Sequence, residues 1–430
     1  MKKISSGPQR LQSGLSLIEL MIAMLIGLVL LLGLVQVMSA SSAAYKLSTG
    51  VARTQENARF AMDFLQRDLR MAGHMGCVSD QAHMAPMMPA SSDATREGLN
   101  LWFLTTAERE ARNYAALTGT NSSLRFDLGI QGFDAAGTAP GNQHVLTQGE
   151  PVTGDAADWE PGLPAPIAAL SPVAGSDVLV IRYLSGTGVP VTVAATSVSS
   201  YTMTPESYGT DVSVDNPTGL FGISNCKQAS VFASTAVDTG TGVVTAVVGG
   251  LNQSGMIGNE WSYEGATNKP ILYPAETVVY YVGTGAGQGA AGNSPPSLFR
   301  ARLVLGAGGL VFRPEELVEG VESLQLLYGM DENLPNELPR GNVTRIRIAP
   351  EVADVTNPNN AQGDLWRRVG AVQIGLLMRS SDRAVAAQAV DPVRVLGVQM
   401  LRGAADDAED GYYRSAYEST VALRNRLFGN

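Results

Sequence analysis

Apolar side chains run almost unbroken from Leu15 to Met38, with Ser16 and Gln36 as the clearly polar interruptions and Glu19 as the one charge. As a helix the run rises roughly 36 Å, enough to cross the apolar core of a bilayer. From Gln55 to Ala72 the pattern becomes amphipathic: Ala58, Ala61, Met62, Leu65, Leu69 and Ala72 recur at helical spacing. Arg59, Asp63 and Arg67 lie on the opposite face, four residues apart, as a solvated or bundle-facing side would. The pattern predicts one long helix over residues 15–75, with its membrane part at 15–38, a stop at Gly73 and a bend or break at Gly50.

Beyond the helix, period-two alternation and Gly, Ser, Thr and Pro replace this pattern. Strands are predicted at Val178–Leu184, Val191–Thr202, Val243–Val248, Thr277–Val282, Leu298–Leu305, Ser323–Tyr328 and Val369–Met378. Their alternation suits antiparallel pairing with one face buried. Ala136–Asn142, Glu160–Pro166 and Gly283–Pro296 read as surface loops. The expected fold is α+β: a long N-terminal transmembrane helix followed by an antiparallel β-rich globular domain over 76–430, with room for two lobes.

A carboxylate within a membrane helix is unfavourable by roughly 2.5 to 3.5 kcal/mol at the centre and less near an end, so Glu19 needs a reason. A secretory signal peptide cut near Ser39–Ala44 would have a shorter apolar core than this one. A plain signal anchor, held by cytoplasmic Lys2, Lys3 and Arg10, explains orientation and leaves Glu19 unexplained.

Gly14, Leu15 and Glu19, after a short basic peptide, resemble the class III leader of type IV pilins and pseudopilins. The resemblance implies that residues 1–14 are a leader removed by a prepilin peptidase between Gly14 and Leu15, and that the new amino group of Leu15 is N-methylated. Many family members have Phe where this chain has Leu15. Glu19 would lie one helical turn from the new N-terminus, where the helix dipole favours an anion, and would pair during assembly with the Leu15 ammonium of a neighbouring subunit.

The formal net charge is −10, and loss of Lys2, Lys3 and Arg10 with the leader takes it to −13. Such a chain is a poor nucleic-acid ligand. Arg340, Arg345 and Arg347, or Arg367 and Arg368, are the places for a local basic patch, with salt bridges as the simpler reading. Cys77 and Cys226 are the only cysteines, and an exported domain would join them in a disulfide, worth roughly 4 to 5 kcal/mol in the chain-entropy model. The alternative is two buried thiols.

Enzymatic and metal motifs fail on context. Gly287, Gly289 and Gly292 have dinucleotide-loop spacing, yet Asn293 to Pro296 follow where a helix should begin. His74 reads as a helix-end residue, His83 lies among Met84, Met87 and Met88, and His144 has no companion motif. Asp406, Asp407, Glu409 and Asp410 lack the spacing of an EF-hand and read as a solvated turn. No cofactor, metal or catalytic residue is expected.

Met71–Cys77 resembles the helix exit of PilW-type minor pilins. Glu316–Asp331 is similar to a segment shared by these pilins and the J-type minor pseudopilins of type II secretion, and Val369–Ser380 and Tyr417–Leu427 are also PilW-like. From the residues alone, Val318–Tyr328 is a short helix or turn leading into a strand, with Val321, Leu324 and Tyr328 as core contacts. The middle, about 90–270, carries no such match and is expected to be a variable insertion. The resemblance implies a minor pilin of the initiation or tip complex that primes pilus assembly and serves cell motility. It would span the inner membrane once, N-terminus cytoplasmic and C-terminal domain periplasmic, and enter the pilus after assembly. The implied partners are other minor pilins, the major pilin, prepilin peptidase and the inner membrane. The alternatives are a minor pseudopilin of type II secretion and a pilus-tip or membrane-anchored adhesin.

Overall fold

The computed structural model describes residues 16–78, 98–147, 149–197, 199–206, 219–225, 228–256, 269–287, 294–306, 308–332, 342–354, 361–383, 392–402, 411–423 and 425. Helix α1 covers Leu17–Leu69, 53 residues, about 80 Å long at 1.5 Å per residue. Ser16 caps it, its Oγ accepting the Glu19 N–H at 3.2 Å. Of the bend or break expected at Gly50, the break does not occur. The helix runs through it, and Thr54 Oγ1 donates to the Gly50 carbonyl at 2.8 Å.

The two halves of α1 have different surroundings. Leu17 to Met38 project with their apolar side chains exposed, whereas Ala58, Ala61, Leu65 and Leu69 are buried on one face. Ala72 continues that face just past the helix and is fully buried. Arg59, Asp63 and Arg67 are exposed opposite. Gly73, at φ 72°, turns the chain into the sheet, where its N–H donates to the Arg182 carbonyl at 2.9 Å.

Two sheets receive the helix. A four-stranded antiparallel sheet has the order Arg345–Arg347, Val321–Met330, Val369–Arg383, Tyr412–Ala422. A larger sheet of thirteen described strands is organised around Ile271–Thr284. This strand pairs with Pro296–Gly306 through its C-terminal half, with Val178–Leu184 through its middle, and with Val189–Ser197 and Leu220–Ser224 through its N-terminal end. The main core lies between α1 and the two sheets, bringing Leu65 together with Ile130, Ile181, Tyr280, Leu324 and Ile374. A second core fills the other face of the large sheet, and a third surrounds Trp102, Phe221 and Phe232.

The middle of the chain is therefore woven into the body. Ile130, Leu179 and Ile181 share the core under α1, while the strands from Val189 to Val247 enclose most of the third core. One local expectation is corrected and another is narrowed. Val191–Thr202 is a hairpin of Val189–Ser197 with Ser200–Pro205, reversed between Ser197 and Ser200. Hydroxyls make that turn instead of Gly or Pro, with Thr196 Oγ1 donating to the Ser200 carbonyl at 3.2 Å. Of the two readings of Val318–Tyr328, the turn leading into a strand holds and the helix does not: Gly309–Glu319 and Val321–Met330 are strands joined at Gly320, φ 85°. A Cβ on Gly320 would lie 2.6 Å from the Arg379 carbonyl oxygen, so only glycine makes this corner without strain. Val321, Leu324 and Tyr328 are fully buried, as expected of them.

Candidate functional site

Glu19 stands in the first turn of α1, at the end where the helix dipole favours a carboxylate. Its backbone N–H is capped by Ser16, but no described side chain pairs with its carboxylate. Around it Leu17, Ile18, Leu20, Met21 and Ile22 are all at least 48% exposed. An apolar surface of this extent is incompatible with water and has to be covered by lipid or by other apolar helices. Gly14 and Leu15, the expected cleavage and methylation residues, lie outside the described residues.

The far half of α1 is bolted to the domain by polar contacts at three levels. Asn57 Nδ2 donates to the Glu319 carbonyl at 3.0 Å, and Gln66 Nε2 to Ser419 Oγ at 2.9 Å. Asn425 Nδ2 reaches back to the Arg70 carbonyl at 2.9 Å. Between them Asp68, buried on the apolar face, accepts the Tyr280 hydroxyl at 2.6 Å and faces Arg300 at 3.6 Å. Burial, with Asp68 beside it, pushes Tyr280 well above the usual phenol range and keeps it a donor. Asp68 was missed from sequence, although a carboxylate interrupting the stripe between Leu65 and Leu69 was the available signal.

Cys77 follows directly after this junction and is not a free thiol. Cys226 lies outside the described residues. The segments leading to the two are in contact: Ser224 Oγ donates to the Met75 carbonyl at 2.9 Å, and a Cβ on Gly76 would meet Ser224 Oγ at 2.7 Å.

The positions weighed for other chemistry are otherwise employed. His74 Nδ1 is 2.8 Å from the Leu184 carbonyl, at the helix exit as expected. His144 is half-buried on the strand Gln143–Leu146, and burial holds its pKa below the usual imidazole value. Arg345 and Arg347 face Glu332 at 3.5 and 2.7 Å, and Arg367 is buried against Asp127 at 3.0 Å. Thr284 pairs with Pro296, so the Gly287 loop joins two antiparallel strands. His83 with its methionines, Arg340, the glycines after Gly287 in that loop and the Asp406–Asp410 cluster lie outside the described residues. Among the described residues no group of three His, Cys, Asp or Glu side chains is placed to hold a metal ion.

Two carboxylates are buried where the sheets meet. Asp177 accepts the N–H groups of Ala135 at 2.8 Å and Leu326 at 2.7 Å, linking three strands. Asp134 accepts the Ala349 N–H at 2.8 Å through one oxygen, while its other oxygen and the Tyr328 hydroxyl are buried without a hydrogen-bond partner among the described residues. Burial raises the Asp134 pKa to about 7 and pushes Asp177 well above the carboxylate range.

Residues 279–425, which include the C-terminal sheet and its contacts with α1, match the family model of type IV pilus-assembly protein W. Residues 9–35 match the prokaryotic N-terminal methylation motif. Both ends of the chain are thus similar to PilW-type type IV pilins. A search of curated proteins and a search of solved structures gave no match. The region similar to that family supplies the C-terminal sheet on which α1 rests, and the region matching the methylation motif supplies the free half of α1. The region between them supplies the layer behind the large sheet and most of the third core.

Proposed function

We propose that this PilW-type pilin is a low-abundance subunit of the initiation or tip complex from which a type IV pilus grows. The observation that carries the reading is Glu19, without a side-chain partner among the described residues, on an exposed apolar helix whose other half is fixed to a PilW-matched body. Such a helix has its complement in other subunits and in lipid. Prepilin peptidase cuts between Gly14 and Leu15 and methylates the Leu15 amine. That amine, in a neighbouring subunit, then neutralises Glu19 and sets the register between helices. The helix crosses the inner membrane once with the leader in the cytoplasm, and the β-rich domain, 76–430, faces the periplasm. The bulk of that domain favours a scarce subunit over one repeated along a dense filament. The role is structural, and its contacts are with other pilus components.

We also infer a Cys77–Cys226 disulfide that staples the helix exit to the large sheet. The Met75–Ser224 contact supports it, and non-reducing peptide mapping of exported protein checks it.

The test of function is deletion and rescue. Loss of surface pili, restored by the parent chain but not by a Gly14→Val form that escapes processing, with little of the protein in sheared filaments, is the expected outcome. Intact pili with failed exoprotein secretion would instead assign the chain to a type II secretion complex. Normal behaviour in both assays would leave an anchored adhesin.

A further inference from the structure

Long strands at the rim of a sheet are normally blunted, because their outward N–H and C=O groups recruit other chains. Two described rim strands are eleven residues long: Gly309–Glu319 on the large sheet and Tyr412–Ala422 on the C-terminal sheet. The first is blunted by Pro314 at its middle, with exposed Arg313, Glu315 and Glu316 around it. The opposite rim of the C-terminal sheet, Arg345–Arg347, is only three residues long. Tyr412–Ala422 has no Pro, Gly or Lys. Its two charges are already engaged: Arg414 turns inward to Glu322 at 2.6 Å, and Glu418 accepts the Leu396 N–H at 2.7 Å.

The phase of the ladder says which backbone groups are free. Leu423 N–H donates to the Gly370 carbonyl at 2.9 Å, and Ala422 lies opposite Ala371. Odd-numbered residues therefore bond inward to Val369–Arg383, and even-numbered ones point outward. The outward backbone groups of Ala416, Glu418, Thr420 and Ala422 meet no hydrogen-bond partner among the described residues.

We propose that the Ala416–Ala422 edge receives an extended strand from a different subunit, lengthening the C-terminal sheet by one strand. The inference rests on the reading of this chain as an assembly subunit. A second copy does not fit. Antiparallel self-pairing needs a two-fold axis perpendicular to the sheet. Because α1 lies across the face of that sheet, the operation reverses it, and both apolar halves could not enter one membrane from the same side. A head-to-tail join would offer only the three residues of Arg345–Arg347. Glu418 and Thr420 flank the edge on one face, and Tyr417 and Ser419 on the other. A fitting partner strand places a cationic or hydroxyl side chain opposite Glu418.

The experiment replaces the chromosomal copy with Thr420→Pro or Thr420→Ala in the full chain. Proline at 420 removes an outward donor and leaves the inner ladder intact. Expected is a form with parental melting in detergent micelles that no longer enters envelope complexes with other pilins, while the alanine form enters normally. Independently, peptides covering 415–422 of the parent exchange amide hydrogen at least about tenfold more slowly in assembled complexes than in micelles. Equal exchange in the two states, or normal entry of the proline form, overturns the proposal, and so does a homodimer cross-linked through Ala422→Cys. If the proline form melts early, the exchange comparison alone decides. A deletion without effect on pili would defeat the functional reading. Loss of pili on deletion with an unaffected proline form would defeat only the edge.

Discussion

The Tyr280 hydroxyl meets the Asp68 carboxylate at 2.6 Å, joining the middle of the central strand to the last turns of α1. Tyr280→Phe removes the donor and leaves a buried carboxylate with Arg300 at 3.6 Å as its nearest cation. The expected loss is about 1 to 3 kcal/mol, because one partner is deleted and the other stays desolvated. Urea unfolding of the full chain in micelles checks it, and an unchanged midpoint would show the contact to be dispensable.

Asp134 gives stability a slope near neutral pH. Burial, partly offset by the Ala349 N–H and reinforced by Glu160 and Glu351, raises its pKa from 3.8 to about 7. The folded state then holds the proton more tightly than the unfolded state. Its contribution is complete below about pH 4 and is lost as pH rises through about 7. Asp177 titrates with it, so the observable belongs to the pair. Asp134→Asn should flatten the dependence and raise the unfolding midpoint at pH 8 relative to the parent. A parallel shift at pH 5 and pH 8 would contradict this.

Asp127 has the opposite sign. Burial works against its charge, but Arg125 and Arg367 prevail and hold its pKa below the usual value. Its stabilisation is present above the unfolded pKa and fades as the solution is acidified. Arg367→Met breaks the buried pair on one side and is expected to destabilise by roughly 3 to 5 kcal/mol. The comparison to make is thermal unfolding at pH 7 and pH 3, where the gap between parent and variant should narrow at the lower pH.

Gly320→Ala forces a left-handed corner onto a side chain whose Cβ would lie 2.6 Å from the Arg379 carbonyl oxygen. The expected penalty is at least about 1 kcal/mol, with faster exchange of amides at the start of Val321–Met330. Gly308→Ala, where a Cβ would meet nothing within 4 Å, is the control.

Glu19→Ala should leave unfolding in micelles unchanged, since no described side chain pairs with that carboxylate, while abolishing entry into pili. Immunoblots of sheared filaments against whole cells measure this directly. Full incorporation would remove Glu19 from the assembly mechanism.

The parts legible in the sequence are those whose signal is local. Val178–Leu184 was readable to the residue because a β-branched and aliphatic run broken only by Arg182 and Tyr183 is buried on both faces. The helical stripe from Ala58 to Ala72 was readable because sterics set its period. The Val191–Thr202 turn was not, because Ser and Thr hydroxyls stand where Gly or Pro normally announces a reversal. Asp177 reads as a loop residue before a strand, yet it gathers N–H groups 42 and 149 residues away. No local pattern encodes such a convergence. At the candidate site Glu19 was conspicuous as a lone charge among aliphatics, whereas the free edge at Ala416–Ala422 is a property of topology, invisible until the order of strands is known.

The unbroken passage of α1 through Gly50 makes the helix a strut. With a continuous column from Leu17 to Leu69 and no hinge to absorb travel, a pull on the membrane end moves Asn57, Gln66 and Asp68 by the same distance. Tension applied at that end would thus load the bonds to Glu319, Ser419 and Tyr280 together, as a sideways shear across the sheet, and they would have to yield together.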